Sequence, residues 1–351
     1  LVVGFTVTGA IARGFKARKQ VLAERWFARG QRDLAHGDPA RAVDEIQTAL
    51  AFAPDDDAYR LKLALALTKA GKLDEARAHL TNLWEQRPGD ATVNLQLARV
   101  VARLGDTQEA IRHYHGAIYG VWERDPLQNR ETARFELANY LLTMRQIPAA
   151  QSELIALAAE LPPDSNEQAR LGDLMLDAGE PDRALTAYNN ASRDDRNNAR
   201  AELGAARASF ALGRYAEALD YVRLAQKINP ELKEASLLEQ QAQLVLAADP
   251  DARGINMKAK AARAQAAYKT ASDRLEECLS SRTDSALEAL AAQEKANFKR
   301  SRPAMLERDP ALLDSIVHWV YQVETATEGV CGTPTGVDAA LLVLANHARV
   351  R

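Results

Sequence analysis

AERWFARGQRDLAHGDPARAVDEIQTALAFAPDD, residues 23–56, holds two largely apolar stretches split by a glycine and closed by a proline. Gly30 is a small residue inside the first stretch, Gly37 marks the break, Ala42 opens the second and Pro54 ends it. The same layout returns down the chain. Ala42, Ala76, Ala110, Ala150, Ala184 and Ala218 keep one constant spacing, broken only by a longer gap between Ala110 and Ala150. Five residues before each comes a break residue: Gly37, Gly71, Gly105, Arg145, Gly179 and Gly213. Twelve before each is a small residue: Gly30, Ala64, Ala98, Ala138, Gly172 and Ala206. Twelve after each stands Pro54, Pro88, Trp122, Pro162, Arg196 or Pro230.

Small residues on both stretches let two helices approach closely. Glycine between them accepts the left-handed conformation that ends a helix, and proline stops the second helix so the chain reverses. One such hairpin cannot cover its own apolar face, so neighbouring hairpins stack and share a core. With a period of about 34 residues, this pattern resembles the tetratricopeptide repeat (TPR) family. The units are 23–56, 57–90, 91–124, 131–164, 165–198 and 199–232. The resemblance implies an all-α fold, a right-handed superhelical solenoid of six repeats with a small C-terminal helical bundle after it. KEASLLEQQAQLVLAA, 233–248, reads as a helix capping the last repeat, and ADPDARG, 248–254, as a linker. Unit three ends in HYHGAIYGVWERDPLQNRE, where Trp122 replaces the proline and six extra residues, 125–130, precede unit four. The expectation there is a longer second helix with Trp122 packed on its end; a contact loop is the alternative.

The division expected from the sequence is 1–20, 21–232, 233–248 and 249–351. Residues 1–20 open with LVVGFTVTGAIA and turn basic at Arg13, Lys16, Arg18 and Lys19. Twelve apolar residues are short of the roughly 20 a bilayer helix needs. The expectation is a partial transmembrane anchor with a basic juxtamembrane segment; a buried core helix is the alternative. It implies a single-pass protein of a bacterial-type inner membrane. Basic residues beside a span favour the cytoplasmic side when both flanks are compared, but a disulfide favours an oxidising, periplasmic one, and the second placement is preferred. A net charge of −3 over 351 residues gives no drive toward nucleic acid.

In the last third, Met257, Ala261, Ala264, Tyr268, Ala271, Leu275 and Cys278 recur at alternating spacings of 4 and 3, a helix-packing seam over 255–280. Helices are also expected over 284–299, with Leu287, Leu290 and Phe298 apolar, from Asp309 and Pro310 onward, and over 337–349. Thr335 or Asp338 is the expected cap of the last. Residues 252–304 carry eleven Lys/Arg against six Asp/Glu, a solvated basic face. Cys278 and Cys331, the two cysteines, are placed as a possible disulfide, with Cys331 in a turn.

No phosphate loop, Rossmann glycine motif, HExxH or GxSxG occurs, and the cysteines lack zinc spacing. His113 and His115, two apart on a helix, diverge by about 200°. No catalytic residue, metal or cofactor is therefore expected. A Cys331–His347 dyad oriented by Asp338 is the residual enzymatic alternative. As a family, TPR arrays hold an extended peptide or a partner helix in a groove lined by the first helices. On this chain that resemblance picks out Phe27, Gln31, Leu61, Leu65, Arg99, Arg103, Asn139, Asp173, Arg207 and Phe210. Arg99, Arg103 and Arg207 would receive carboxylates of a partner. Phe27 and Gln31 stand where chaperone-binding relatives carry lysine and asparagine, so a chaperone tail is not the expected ligand. The reading is a membrane-tethered scaffold or adaptor, a non-catalytic subunit of a hetero-complex with protein partners in the groove. An enzyme centred on Cys331 and a ligand-binding sensor are the alternatives.

Overall fold

The computed structural model describes residues 2–252, 254–297 and 299–350, with side chains from 15 to 349 of these. Among the described residues the elements are helices, and the one extended pairing is a parallel bridge between Asp90 and Val121. The chain forms two compact units, Leu1–Glu160 and Leu161–Arg351. That boundary falls between repeats four and five, whereas the sequence alone suggests divisions at 232 and 248.

In the first unit α1 (Val2–Ala35) and α2 (Pro39–Phe52) make repeat one, α3 (Asp57–Lys69) and α4 (Leu73–Gln86) repeat two. Repeat three is α5 (Ala91–Leu104) and α6 (Thr107–Tyr119), and repeat four is α7 (Pro126–Thr143) and α8 (Ile147–Glu160). In the second unit α9 (Ser165–Asp177), α10 (Pro181–Asp194), α11 (Ala199–Ala211) and α12 (Tyr215–Ile228) form repeats five and six, and α13 (Lys233–Ala248) follows. All six repeat alanines, 42, 76, 110, 150, 184 and 218, are fully buried. Every break is built alike. Asp38, Lys72, Asp106, Gln146, Glu180 and Arg214 each donate an N–H to the carbonyl five residues back, at 2.8–3.1 Å. This closure requires a left-handed residue before the donor. Glycine supplies it in five repeats, and in repeat four Arg145 does, with φ +57°.

Aspartate starts many of these helices. Asp38, Asp56, Asp90, Asp106 and Asp164 each accept a first-turn N–H, and Asn198 does so for α11. The six extra residues do not lengthen the second helix of repeat three. That helix ends at Tyr119, and the insertion instead lengthens α7 at its start, where Pro126 occupies the first turn. Trp122 does pack on the end of α6, its indole N–H donating to the Ala117 carbonyl at 2.9 Å. Val121 then pairs with the preceding repeat turn, through Gly89 O and Ala91 N.

The helix α1 runs unbroken through the exposed Lys16, Arg18 and Lys19 into repeat one. No helix among the described residues is long and apolar enough to cross a membrane. The side chains of residues 2–14, on which the anchor expectation rests, lie outside the described ones.

The C-terminal part of the second unit comprises α14 (Met257–Ser281), α15 (Ser285–Asn297), the short α16 (Pro303–Leu306), α17 (Pro310–Cys331) and α18 (Gly336–Val350). The seam of α14 is buried from Ala261 to Cys278 and half-buried at Met257. It packs along α17 in parallel: both the Arg274–Thr327 hydrogen bond and the Cys278–Cys331 link join residues 53 apart. Trp319 fills the middle of this core, its ring 4.8 Å from Tyr268 and its N–H on the Leu290 carbonyl. Asp309 caps α17 as its sequence promises, accepting from Leu312 N at 3.1 Å. Cys331 is the last residue of that helix and not a turn residue, and α16 has no counterpart in the sequence expectation. Phe298 lies outside the described residues.

Candidate partner-binding groove

The ten groove residues fall in both units. In the first, Phe27 stacks on Tyr59 at 4.1 Å, Leu61 and Leu65 are half-buried, and Gln31 and Asn139 are exposed. Arg99 holds Glu136 of repeat four through two bonds, Nε–Oε2 at 2.8 Å and Nη2–Oε1 at 2.5 Å. The Glu136 bond raises the Arg99 pKa further, against the opposing effect of its burial. Arg103 donates to the Thr68 carbonyl of repeat two at 2.9 Å. In the second unit Arg207 holds Glu234. The three arginines expected to receive a partner's carboxylates are engaged within the chain. First helices of adjacent repeats lie close enough for their charged side chains to satisfy one another, and each guanidinium already has an acceptor within the chain.

Asp173 and Arg207 come together around one pocket of about 620 Å³. Asp173 begins at a buried tyrosine. Tyr188, fully buried, donates its hydroxyl to Asp173 Oδ1 at 2.6 Å. Burial, then the Asp173 bond and charge, push that phenol's pKa well up, so it stays a donor. Gly172 and Gly204 make room for the ring: a Cβ on either would collide with Tyr188 atoms. Arg200, on the next first helix, donates to the other carboxylate oxygen, Asp173 Oδ2. The Arg207–Glu234 pair repeats that geometry one unit later with the signs exchanged, each pair spanning 27 residues. Leu176, Leu203 and Leu232 give the pocket apolar walls, and the exposed Asp177 adds a negative charge. The sequence reading missed Arg200, Glu234 and the leucines. The signal for the charged two was an opposite charge at that same separation beyond each inward-facing one. Phe210 does not join this pocket; it meets Tyr215 edge-on at 5.1 Å.

A second pocket of about 680 Å³ lies between the repeat-six turn and the C-terminal helices, with Tyr215, Asp249, Tyr321, Leu344 and His347 in its wall. His347 does not approach a nucleophile. It lies over Gly213, where a side chain would strike its ring, and 6.3 Å from the Tyr215 ring. Cys331 is joined to Cys278, their Cα atoms 5.9 Å apart, so its sulfur is occupied. Asp338, expected to cap α18 or orient the histidine, turns instead toward the fully buried Glu324. Burial first, then the Asp338 charge, raise Glu324 to about 8, while Arg274, at 3.5 Å, opposes the shift. Among the described residues no group of three His, Cys, Asp or Glu is placed to hold a metal.

Two tetratricopeptide repeat family models match the chain, one over residues 27–91 and 169–232, the other over 67–119. No curated protein matches it. Among solved structures it is similar to the C-terminal part of a TPR repeat-containing protein from Cytophaga hutchinsonii. The identity is 15%, over 63% of this chain and 86% of that one, with a TM-score of 0.51. It is also similar to YrrB, described as a TPR protein with an unusual peptide-binding site, at 18% identity over 56% of this chain and 97% of that one, TM-score 0.44. A third is pilF of Pseudomonas aeruginosa, at 16% identity over 63% and 98%, TM-score 0.44. At these identities the structural likeness speaks for the fold alone. Six identically closed helix hairpins and the family models agree on the repeats: residues 27–119 and 169–232 match the tetratricopeptide repeat.

Proposed function

We propose that this chain is a non-catalytic scaffold that holds a partner protein by an extended segment in the groove of repeats five and six. The observation that carries this reading is the pocket bounded by Asp173–Arg200 and Arg207–Glu234 with leucine walls. Two ion pairs of opposite polarity fix the charges that a passing backbone meets, and Leu176, Leu203 and Leu232 offer an aliphatic side chain a place between them. Asp177, exposed and outside any ion pair among the described residues, favours a basic residue beside that anchor. The test is affinity capture with the whole chain and with Leu176→Glu and Asp177→Lys, side chains half-buried and exposed. A stoichiometric partner retained by the parent and lost from both variants, at unchanged melting temperature, supports the groove. Equal capture by all three sinks it.

The scaffold is further proposed to work at a membrane, as part of a hetero-complex. The apolar run 1–12 followed by exposed Lys16, Arg18 and Lys19 supports this, because a basic segment gains about 1 kcal/mol per residue near anionic lipid. The Cys278–Cys331 pair supports a periplasmic setting over a cytoplasmic one. Flotation with anionic vesicles checks the first point, and the recovery of unalkylated cysteines from intact cells checks the second. The enzymatic alternative finds less support, since the sulfur it needs is bonded and His347 faces Gly213.

A further inference from the structure

The chain leaves α17 at Cys331 and enters α18 at Gly336 through a turn that few contacts hold. Gly332, Thr333, Thr335, Gly336 and Val337 are exposed, and Pro334 alone of the turn is buried. Two ties fix it to α14: the Cys278–Cys331 bond, and Arg274 Nη2 donating to the Gly332 carbonyl at 2.9 Å. Under this turn lie Glu324 and Asp338. Glu324 Oε1, Glu324 Oε2 and Asp338 Oδ1 are buried without a hydrogen bond, and Arg274 Nε lies 3.5 Å from Glu324 Oε2. Buried acidic oxygens with so few partners favour hydration as soon as water is admitted. The two cysteines differ sharply in exposure, since Cys331 is exposed at the end of α17 and Cys278 is 4% exposed.

We propose that Cys278–Cys331 is a thiol–disulfide exchange site, opened at Cys331 by a dithiol reductant, and that opening it bares the Glu324–Asp338 carboxyl pair beneath the 332–338 turn. One thiolate of the reductant forms a bond to Cys331 Sγ, and the Sγ–Sγ bond breaks with its electron pair going to Cys278, which takes up a proton. The second thiolate of the reductant then attacks its own sulfur in the mixed disulfide. Cys331 leaves as a thiolate and is protonated, and the dithiol ends as a disulfide, having given up two electrons. Attack in this direction follows from access, because a nucleophile must approach the sulfur along the S–S axis and the packed α14–α17 seam shields Cys278. Once the bond is gone, one guanidinium hydrogen bond ties the turn to α14, beside the Gly332 N–H bond to the Glu328 carbonyl of α17, while α14 and α17 keep their own buried seam.

Dithiothreitol is the probe. Amide hydrogen exchange on the full chain, oxidised and reduced, is expected to quicken at least about tenfold over 332–339, with 261–275 and 312–327 little changed. Iodoacetamide is expected to label Cys331 in Cys278→Ser at least about tenfold faster than Cys278 in Cys331→Ser. Unchanged protection of 332–339 after reduction overturns the proposal, as do equal labelling rates or a bond that yields to dithiothreitol only when the second unit melts. The exchange comparison uses the parent chain alone, so it stands even where a serine variant fails to fold.

Discussion

Tyr188 shows how much one side chain settles in this protein. Its ring occupies space left by two glycines of neighbouring first helices, and its hydroxyl aims the Asp173 carboxylate into the pocket. Tyr188→Phe removes a bond to a charged acceptor but leaves Arg200, so it should cost about 1–2 kcal/mol in urea unfolding of the second unit and weaken partner capture. Gly204→Ala puts a methyl into the ring and should cost about 1–3 kcal/mol. A cost for Gly204→Ala within error of zero would show that the ring can move. Arg145 presents the opposite case. It holds φ +57° where the other five breaks use glycine, so Arg145→Gly should stabilise the first unit by about 0.5 kcal/mol. Calorimetry of that unit measures it. Gly172 was legible in the sequence as a small repeat residue. Its purpose was not, because the tyrosine that fills the gap comes from another helix.

At the scale of elements, the helix pairs are legible because the chain repeats itself. An alanine returning at one fixed spacing sets both the hairpin and its place in the stack, and the six identical closing bonds follow from it. What resists reading is any place where the repeat stops. The six inserted residues lengthen α7 and not α6 because Pro126 can begin a helix but cannot continue one. Pairing is similarly hidden in the C-terminal helices: the seam of α14 is plain in its spacing, yet nothing in that spacing names α17 or a parallel arrangement. The constant separation of 53 residues does, once the structure is known. It carries a prediction. Ala264 is fully buried in this seam, and leucine there should force α14 and α17 apart at a cost of about 1–3 kcal/mol. Ala262, exposed on the same helix, should accept leucine with little change. Equal effects at the two positions would mean that the seam does not pack as described.

For the molecule as a whole, the groove was only half legible, since inward-facing charges can be projected from the repeat but their neutralisation by the next repeat depends on spacing between helices. The buried acid pair was not legible at all, because Glu324 and Asp338 look like ordinary helix carboxylates until α17 and α18 are brought together. Their burial makes stability depend on pH in an unusual direction. Glu324, fully buried, is pushed up to about 8 from an ordinary value of 4.5, chiefly by burial and then by Asp338, whose own carboxyl is also raised by burial. The groups facing them are Arg274, which lowers both, and Asp273 and Glu277 of α14, which raise Asp338. Between these two pH values the folded chain keeps a proton that the unfolded chain has released. The contribution is therefore complete below about pH 4.5 and is lost as pH rises through about 8, with a limiting slope of about 1.4 kcal/mol per pH unit. Other carboxylates, the ion-paired ones above all, act in the opposite sense at low pH, so the difference between parent and variant is the quantity to follow. Urea unfolding of the second unit at pH 5, 7 and 9 should show Glu324→Gln gaining on the parent with each step. Curves that stay parallel across that range would show that Glu324 holds no proton in the folded chain.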